Sequence, residues 1–488
     1  MPTPNTFPAI RTRPDWGPSE RLRWLRSFRR TVAGEAERLC KVIESEIGKP
    51  SWEALTGDVM PLLASCRWHE RHARRLLRPR RVGGRAVFQV GQRQELVRVP
   101  LGRVGIIATW NYPVQLLGIQ LVQAIVAGNE VVVKPSEHAP RSQRMLLELA
   151  VAAGLPEGIL RWCAPTREAG AELLRTERLD HVVFTGSTGV GRAIAEWAAG
   201  TLTPTTLELS GHDSAIVLAD ADAGLAARSI WAGLVMNAGQ TCMAPRRVLV
   251  ERAAYPAFLR ALAPLAAGAK PVVLIHEGSA TRCFDLARDA VAAGGRSLSA
   301  VLEAPDGRVM RPLVVVDCPA DADLVDGAHF GPVVAVVPVG SPDEALAIHR
   351  RCGQHLATSV FTRRPALARA MAAELGAGRV TVNDCILPTA HPATSIGGRG
   401  ASGWGVSRGR EGLLAMTRGV TVSVTHPRVR PGLEAPPESM VAKAMGFVRW
   451  WYGGRATAVE PMGAPGPDSA VVVVQTGAAA RQEVSQHG

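Results

Sequence analysis

Short apolar runs alternate with helical segments through most of the chain. From Arg103 onward, the runs RVGIIAT, EVVVKP, ILRWC, HVVFTG and TLEL predict buried strands, and helical segments separate them. A second alternating set extends from SAIVL to RVTVN, over residues 214–383. Apolar strands that alternate with helices form parallel sheets covered on both faces. The pattern therefore predicts an α/β fold with two parallel sheets.

Helical spacing of apolar residues precedes this region. The spacing predicts one helix over residues 19–47, capped by Ser19 and ended at Gly48, and another over about 58–77. Residues 84–100 predict a hairpin that turns at Gly91. A hairpin of this kind serves either as a contact between subunits or as a plain sheet edge.

The C-terminal region changes in character. A Gly-rich segment and a strand-like run, GVTVSV, occupy residues 396–425, and a tail rich in Pro and Gly follows over 426–488. Within the tail, the apolar residues near 439–452 fall on one helical stripe. Such a stripe packs either on its own protein or a sister subunit, or on a membrane surface, and both alternatives stay open.

Composition and charge exclude several classes of protein. A chain of 488 residues with 47% apolar residues is too long for one core, and no apolar run reaches the length of a membrane span. The net charge of +13 is compatible with nucleic-acid binding, but only five of the 56 basic residues are lysines and no nucleic-acid motif accompanies them. We therefore expect no nucleic-acid partner.

The cysteines and the N-terminus favour a cytoplasmic protein. The eight cysteines include no CxxC pair and no zinc-like spacing, so we expect free thiols, a reducing compartment and no metal site. The first residues lack the apolar core of a secretory signal.

Polar side chains follow several of the predicted strands. Asn111 follows one strand, Lys134 and Glu137 follow the next, a Gly-rich turn occupies 184–191, and Glu208 lies at a further strand end. Parallel sheets bind their ligands at these ends. Alone, each feature has a structural interpretation: a helix cap, a surface lysine, a turn without full GxGxxG spacing, and an ion pair.

One cysteine occupies a distinctive local sequence. The stretch WAGLVMNAGQTCMAPRRVLV, residues 231–250, brings Cys242 through small residues to the start of a predicted strand. A thiol on such a tight backbone can be a nucleophile, although a free cysteine is more often a small buried apolar residue.

Taken together, these segments resemble the NAD(P)-dependent aldehyde dehydrogenase superfamily, and within it the short, class 3-like type. The resemblance covers about residues 18–425. The 34-residue spacing from Glu208 to Cys242 also matches the family. The segments that carry it are TWNYP, VVVKPSE, FTGSTGVG, LELSGHDSAIVL, NAGQTCMAP, FGP at 330–332, VND at 382–384 and GGRGASGWG at 397–405.

The resemblance implies an aldehyde dehydrogenase-like fold, with two Rossmann-like parallel-sheet domains and a small oligomerisation arm. An NAD(P)-binding domain would span 1–212 and include the 84–100 hairpin, and a catalytic domain with the cysteine would span 213–395. Residues 396–425 would supply the Gly-rich segment and an oligomerisation strand, followed by the tail, 426–488. The implied assembly is a homodimer.

The resemblance also implies a reaction and its catalytic residues. An aldehyde would be oxidised to a carboxylic acid through a thiohemiacetal and then a thioester on Cys242. The amide of Asn111 and the backbone N–H of Cys242 would hold the oxyanion. Glu208 would take a proton from the water that hydrolyses the thioester, as a carboxylate in apolar surroundings can.

A cofactor site follows from the same resemblance, with no metal. Lys134 and Glu137 would lie at the adenosine ribose, Gly186 and Ser187 at the pyrophosphate by a helix N-terminus, and two aromatic residues at the nicotinamide end. Glu137 would repel a 2′-phosphate, which favours NAD and leaves NADP as a second cofactor. The full implied set is Trp110, Lys134, Ser136, Glu137, Gly186, Ser187, Gly191 and Phe330.

Two departures keep alternatives open. The family has Glu two residues before the phenylalanine of FGP, where it binds the nicotinamide ribose, but this chain has Ala328, with Asp326 nearby. Its second departure is His212, where Lys or Asn is usual. The first alternative is a non-catalytic homologue that acts as a binding or scaffold protein, although Cys242, Glu208 and Asn111 are all present. The second is a coenzyme A-acylating enzyme, which would have no use for Glu208.

Overall fold

The computed structural model describes residues 15–84, 89, 91–298, 302–426 and 436–453. The helices are α1 (Pro18–Gly34), α2 (Ala36–Ile47), α3 (Ser51–Ala54), α4 (Met60–Leu77), α5 (Gln115–Ala127), α6 (Pro140–Ala152), α7 (Arg167–Thr176), α8 (Thr188–Thr201), α9 (Ala223–Val235), α10 (Tyr255–Ala267), α11 (Glu277–Ala292), α12 (Asp323–Asp326), α13 (Pro342–Arg351), α14 (Pro365–Leu375), α15 (Gly409–Ala415) and α16 (Glu438–Tyr452). Shorter helical turns are a π-turn at Leu55–Val59 and 3₁₀ turns at Met236–Gly239 and Leu387–Ala390.

The strands connect these helices. They are β1 (Arg80–Arg81), β2 (Gln92–Pro100), β3 (Arg103–Ile107), β4 (Glu130–Lys134), β5 (Leu160–Trp162), β6 (His181–Gly186), β7 (Thr205–Leu209), β8 (Asp213–Val217), β9 (Pro245–Glu251), β10 (Val272–Val273), β11 (Arg296–Ser297), β12 (Val309–Met310), β13 (Leu313–Val316), β14 (Val333–Val339), β15 (Gln354–His355), β16 (Ala357–Phe361), β17 (Arg379–Val382), β18 (Arg399–Gly400), β19 (Gly403–Trp404) and β20 (Thr417–Thr425).

Two large sheets confirm the predicted α/β fold. The first has the order β19-β7-β6-β3-β4-β5, and only β19 runs antiparallel to its neighbour. The second has the order β11-β13-β14-β9-β8-β16-β17, with only β11 antiparallel. The chain reverses its direction of winding between β3 and β6, and such a switch opens a crevice at the strand ends.

Burial on both faces explains why these strands are almost wholly apolar. Val131, Val133 and Ile106 are buried in the first sheet, and helix α5 is buried along its whole length beside it. Parallel strands covered on both sides carry continuous apolar runs rather than alternating ones. The domain boundary predicted after residue 212 falls between β7 and β8 and stays a prediction.

The N-terminal helix prediction was wrong in two respects. The chain forms α1 and α2 instead of one helix, because the helical path breaks at Glu35. Helix α1 begins at Pro18 with Gly17 at its N-cap, so Ser19 does not cap it; proline at the first helical position is preorganised by its fixed φ. The predicted end at Gly48 is confirmed, with a left-handed φ of 72°.

The predicted hairpin can be compared only in part. Strand β2 forms its C-terminal half and lies between β1 and β20 in a small sheet, whereas the strand predicted before Gly91 falls on 85–88 and 90, outside the described residues. Strand β20 confirms the strand predicted from GVTVSV.

Two compact units make up the chain. The larger comprises residues 1–84 and 93–423 and holds both large sheets. The smaller comprises 85–92 and 424–488 and contains α16, which confirms the helix predicted near 439–452 and has no buried side chain. Within the described residues, no helix has both the length and the apolar character needed to traverse a bilayer.

Candidate active site

A cavity at the carboxyl ends of β3, β6 and β7 gathers most of the predicted site. We call it the first cavity. It is also lined by His276, Ser279 and Arg408, which the sequence did not single out. The predicted residues in its lining are Trp110, Asn111, Gly186, Ser187, Glu208, Cys242 and Phe330.

A second cavity reaches the same cysteine. Cys242, Leu116, Met243 and Arg408 line both cavities, so the two meet at the thiol. Much of the rest of the second lining comes from α3, the π-turn region, the 3₁₀ turns and α5. Most of the surface that this lining exposes to the cavity is apolar, although the lining includes Glu53, a Gln and several Thr side chains. Leu387 in this lining is 76% exposed, which places it at the open end.

The loop that carries Cys242 has an unusual backbone. Asn237 and Ala238 have left-handed φ values of 51° and 54°, which non-glycine residues adopt only at a cost. Gly239 follows with φ of 69°, and a Cβ there would collide with the backbone of Gly331. The loop that carries Cys242 therefore lies directly against the FGP loop, an approach that only glycine allows.

The amide of Asn111 is fixed in orientation. Its Oδ1 accepts a hydrogen bond from Thr109 Oγ1 at 3.3 Å, and its Nδ2 donates to the Gln240 carbonyl at 3.0 Å. One of the two Nδ2 hydrogens is thus engaged, and the other is available toward the first cavity, which Asn111 lines.

A buried ion pair that the sequence analysis missed supports Asn111 from behind. Lys49 Nζ lies 2.6 Å from Asp58 and donates to the Asn111 carbonyl at 2.7 Å, and both charged side chains are fully buried. Asp58 Oδ1 accepts the N–H groups of Val114 and Gln115, so Asp58, not Asn111, caps α5. The sign in the sequence that could have drawn attention to Lys49 was the scarcity of lysine in this chain.

Glu208 is buried on β7 and is not a structural ion-pair residue. Its Oε1 has no hydrogen-bond partner, and within the described part of the chain it forms no ion pair within 4.0 Å. Burial raises the pKa of Glu208, against a hydrogen bond from Ser407 and the charge of Arg408. Gly403 of β19 pairs with Glu208, and a Cβ there would collide with the Leu207 carbonyl.

The surroundings of Cys242 favour the neutral thiol. Burial raises its pKa to about 12, and the carboxyl groups of Asp213 and Glu208 add to the increase. The charges of Arg408 and Arg246 act in the opposite direction. Arg246 donates to the carbonyls of Thr241 and Gly331 and therefore connects the loop that carries Cys242 to the FGP loop.

Asp213 is a second buried carboxyl near the thiol. Its Oδ1 accepts the N–H groups of Leu356 and Ala357, whereas its Oδ2 has no partner. Burial raises the pKa of Asp213 to about 8, against those two hydrogen bonds. The folded state therefore prefers the protonated acid over a wide pH range.

This preference makes the fold less stable in alkali. A raised folded-state pKa contributes stability below the unfolded pKa that is lost as pH rises through about 8. We expect Asp213→Asn to reduce the loss of unfolding free energy between about pH 6 and pH 9 by roughly 2 kcal/mol. Thermal unfolding at about pH 6 and at about pH 9 gives the free energy of unfolding from which this loss is calculated. The exposed Asp306→Asn is the control. An equal pH dependence in Asp213→Asn and wild type would contradict it.

The remaining predicted cofactor residues lie outside the first cavity lining. Lys134 Nζ pairs with Glu137 at 2.7 Å, and Arg167 lies 3.4 Å from the same carboxylate. Although burial opposes ionisation, these two cations help hold the pKa of Glu137 at about 2. The Ser136 N–H donates to Gln143 Oε1, and Gly191 packs so closely on Leu209 that a side chain would collide with it.

The segment before FGP supplies no carboxylate to the first cavity. Ala328 is exposed, and Asp326 is held by Arg247 at 2.8 Å and Arg351 at 3.1 Å. His329 is buried, 3.0 Å from the Val333 carbonyl. The N-terminal end of α11 contributes two polar residues to this cavity, His276 at the N-cap and Ser279 in the first turn. No motif in the sequence pointed to these two residues.

The family model described as "Aldehyde dehydrogenase family" matches residues 7–422. The chain belongs to the aldehyde dehydrogenase family. A 4,4′-diapolycopene aldehyde oxidase from a Methylomonas species is 31% identical over 81% of this chain and 76% of that protein. The dimeric NADP-preferring aldehyde dehydrogenase of the dog, Canis lupus familiaris, is 30% identical over 80% of this chain and 86% of its own length.

Solved structures of aldehyde dehydrogenases share the fold. The NAD-dependent aldehyde dehydrogenase from Sinorhizobium meliloti superposes with a TM-score of 0.80 and 27% identity, over 87% of this chain and 86% of that one. The two-sheet α/β architecture is therefore that of the family, and the chain is an NAD(P)-dependent aldehyde dehydrogenase.

The first cavity has the groups that a nicotinamide dinucleotide requires. The rings of Trp110 and Phe330 meet edge to face at 5.9 Å and offer an apolar surface. Ser187 caps α8, with its Oγ 3.4 Å from the Val190 nitrogen, and both Gly186 and Ser187 line the cavity. A helix N-terminus with free N–H groups favours a pyrophosphate at this position. The site residues thus fit the aldehyde dehydrogenase cofactor.

Proposed function

We propose that this aldehyde dehydrogenase oxidises apolar aldehydes to carboxylic acids, with Cys242 as nucleophile, Asn111 as oxyanion donor and Glu208 as general base. The position of Cys242 at the meeting point of the two cavities carries the proposal. The first cavity presents Asn111 and Glu208 beside the cofactor groups, and the second offers an apolar path to the thiol.

In the first chemical step the Cys242 thiol loses its proton to water, and its sulfur bonds to the aldehyde carbon as the carbonyl π bond breaks. The carbonyl oxygen takes the negative charge and accepts the available Nδ2–H of Asn111 and the backbone N–H of Cys242. The Asn111 amide needs no reorientation, because Thr109 and Gln240 already hold both of its ends. Preorganised donors of this kind are worth about 3 kcal/mol in the transition state.

The second half of the reaction releases the acid. Bound NAD(P)⁺ supplies the acceptor for the hydride that leaves the thiohemiacetal carbon. The resulting thioester on Cys242 is attacked by water while Glu208 takes the water proton. The carbon–sulfur bond then breaks, which releases the acid and restores the Cys242 thiol. Glu208 returns to its carboxylate form when it releases the proton. An aldehyde, water and NAD(P)⁺ are thereby converted to a carboxylate, NAD(P)H and two protons.

The proposed substrate class follows from the second cavity. Pro61, Leu116, Met236 and Ile386 give it apolar walls. The Methylomonas relative is named for oxidation of an aldehyde of 4,4′-diapolycopene. We therefore propose aliphatic and aromatic aldehydes as substrates.

NADH or NADPH absorbance with a panel of apolar and charged aldehydes tests the proposed activity. We expect reduction of the cofactor with the apolar members. If wild type and Ala328→Glu both form no reduced cofactor, a non-catalytic binding or scaffold role is favoured instead. Formation of product only when coenzyme A is added would indicate the acylating alternative.

We propose NAD as the preferred cofactor and NADP as the second. The ionised Glu137 lies where the adenosine ribose is proposed to bind and would repel a 2′-phosphate, although the dog relative is named NADP-preferring. We expect Glu137→Gln to raise the ratio of kcat/KM for NADP over NAD about tenfold, since it removes this repulsion and frees Lys134 and Arg167. The exposed Glu148→Gln is the control. An unchanged ratio would refute the role of Glu137.

We propose a homodimer that uses β20. This strand lies at the edge of its sheet, and Val420, Val422 and Val424 are exposed along it. An exposed apolar edge strand is a template for pairing with another chain. The dog relative is named dimeric. Sedimentation equilibrium of the Val422→Lys variant tests this interface. We expect the variant to be monomeric, and an intact dimer would exclude β20 as the interface.

We also propose a cytoplasmic protein that contacts membranes peripherally through α16. Phe447, Val448 and Trp451 lie on one exposed helix face, and Lys443, one turn before Phe447, borders that face. Amphipathic helices with basic flanks bind anionic lipid surfaces. Co-flotation with anionic vesicles tests the contact, which Phe447→Glu should abolish.

The eight cysteines are all free thiols, which supports the cytoplasmic location.

A further inference from the structure

Arg408 is a buried cation at the point where the two cavities meet. Its side chain lines both cavities, and the residue is only 5% exposed. Nη1 donates to the Thr389 carbonyl at 3.0 Å, and Nη2 donates to Gln115 Oε1 at 3.2 Å. Both partners are neutral. Within the described residues, the guanidinium forms no ion pair within 4.0 Å.

The backbone at Arg408 is strained. Its φ of 65° and ψ of 162° fall in a region that glycine occupies and other residues avoid. The Arg408 N–H donates to Gln123 Oε1 at 3.1 Å, and Gln123 also donates to the Gly409 carbonyl. The buried Gln123 on α5 therefore holds the strained turn in place. A local conformation that is maintained against strain points to a function.

A buried guanidinium with only neutral partners is costly unless a negative charge is nearby. Three residues that line a cavity with Arg408 have a thiol or carboxyl group that can carry such a charge: Cys242, Glu208 and Glu53, and the Glu53 carboxyl accepts the Asn237 N–H. Arg246 is the other cation near the thiol, but its guanidinium is occupied by the Thr241 and Gly331 carbonyls and lines neither cavity. Arg408 is thus the cation that the cavities present to Cys242.

We propose that Arg408 stabilises the thiolate of Cys242 and so prepares it for attack on the aldehyde. The inference rests on the proposed function of Cys242 as the nucleophile. It assigns the arginine between the Gly-rich segment and α15 a direct electrostatic effect on the reacting sulfur. Lysine is expected to replace it in part, and a neutral residue is not.

The charged groups around the thiol are consistent with this assignment. Asp213 from β8 and Glu208 from β7 raise the pKa of Cys242, in addition to the dominant effect of burial. Two cations lower the pKa of Cys242, and Arg408 has a larger effect than Arg246 on β9. Tyr112, whose hydroxyl lies 2.7 Å from Thr241 Oγ1, is uncharged near neutral pH because burial raises its pKa. Loss of Arg408 therefore removes the main cationic influence on the sulfur.

The pH dependence of Cys242 alkylation tests the proposal without aldehyde or cofactor. Full-length protein is treated with iodoacetamide over a range of pH, and the tryptic peptide 229–246, in which Cys242 is the single cysteine, is quantified by mass spectrometry. We expect Arg408→Gln to shift the alkylation midpoint upward by about one pH unit and to slow alkylation near pH 8 about tenfold. Arg408→Lys should retain most of the wild-type rate.

Arg21→Gln is the matched control. Arg21 also has a largely buried guanidinium that donates to a backbone carbonyl, that of Val126, but it lines neither cavity. Its alkylation midpoint should equal that of wild type. An unshifted midpoint in Arg408→Gln would overturn the proposal.

If Arg408→Gln does not fold, Arg408→Lys decides. A midpoint within about half a unit of wild type supports the charge effect, and an upward shift of a full unit overturns it. Because no turnover is measured, a failure of aldehyde oxidation and a failure of this inference give different results.

Discussion

Cys242→Ala is expected to abolish aldehyde-dependent NADH formation, with a decrease in kcat/KM of at least about 10⁴-fold. Both cavities reach this side chain, so the substitution leaves the cofactor and substrate spaces in place and removes only the sulfur. Without the sulfur no thiohemiacetal can form, and hydride departure from the free aldehyde lacks a covalent route. Steady-state absorbance of NADH measures the effect.

Cys40→Ala is the control for this substitution. Cys40 is a buried thiol on α2 and lines neither cavity, so its loss tests whether removal of any buried thiol reduces activity. We expect near wild-type turnover. Residual activity of Cys242→Ala comparable to that of Cys40→Ala would rule out the cysteine mechanism.

Glu208→Gln is expected to separate hydride departure from hydrolysis. The neutral amide cannot take the proton of the attacking water, so steady-state turnover should fall about 10²–10⁴-fold. Formation of the thioester does not require this base, and a burst of about one equivalent of NADH per chain should therefore remain. Stopped-flow absorbance gives the burst, and intact-protein mass spectrometry should show the acyl group on Cys242.

Two outcomes would argue against the role of Glu208. Unchanged steady-state turnover would show that another group activates the water; Asp213 is a second buried carboxyl whose charge affects Cys242. Loss of the burst together with turnover would place Glu208 before the hydride step instead. Glu196→Gln, an exposed substitution on α8, provides the control for a change of carboxylate to amide.

Much of the site could be predicted because parallel strands end at one edge of a sheet. Asn111, Lys134, Gly186 and Glu208 each follow or end a strand of the first sheet, and the order β7-β6-β3-β4 makes those strands neighbours. The apolar runs identified the strands, and the polar residues just after them identified the edge. Cys242 precedes β9 of the second sheet, so strand order alone could not place it; its local sequence made it a candidate nucleophile, and the family resemblance assigned it that role.

The residues that support the site could not be predicted in the same way. Lys49 lies between α2 and α3 and Asp58 in the π-turn, where the sequence pattern gives no reason to bury a charge. Their pairing depends on how these segments pack with α5. Arg408 was hidden by the abundance of arginine in this chain. Each of these residues becomes distinctive only when its burial and its partners are known.

Local backbone detail was also beyond the sequence pattern. Continuous helical spacing over 19–47 concealed the break at Glu35, because apolar residues on both sides pack in the same core. The departure at Ala328 was visible, but its structural consequence was not. Asp326 is held in salt bridges with Arg247 and Arg351 and lines neither cavity, so this acidic residue does not replace the missing glutamate.

The most direct measurement is the stoichiometry of products from wild-type protein, an apolar aldehyde and NAD in the absence of coenzyme A. Reduced cofactor is followed by absorbance and the acid by mass spectrometry. We expect equal amounts of NADH and carboxylic acid, and neither from Cys242→Ala. Formation of acid that survives Cys242→Ala, or NADH without acid, would contradict oxidation through a thioester on Cys242 that Glu208 helps to hydrolyse.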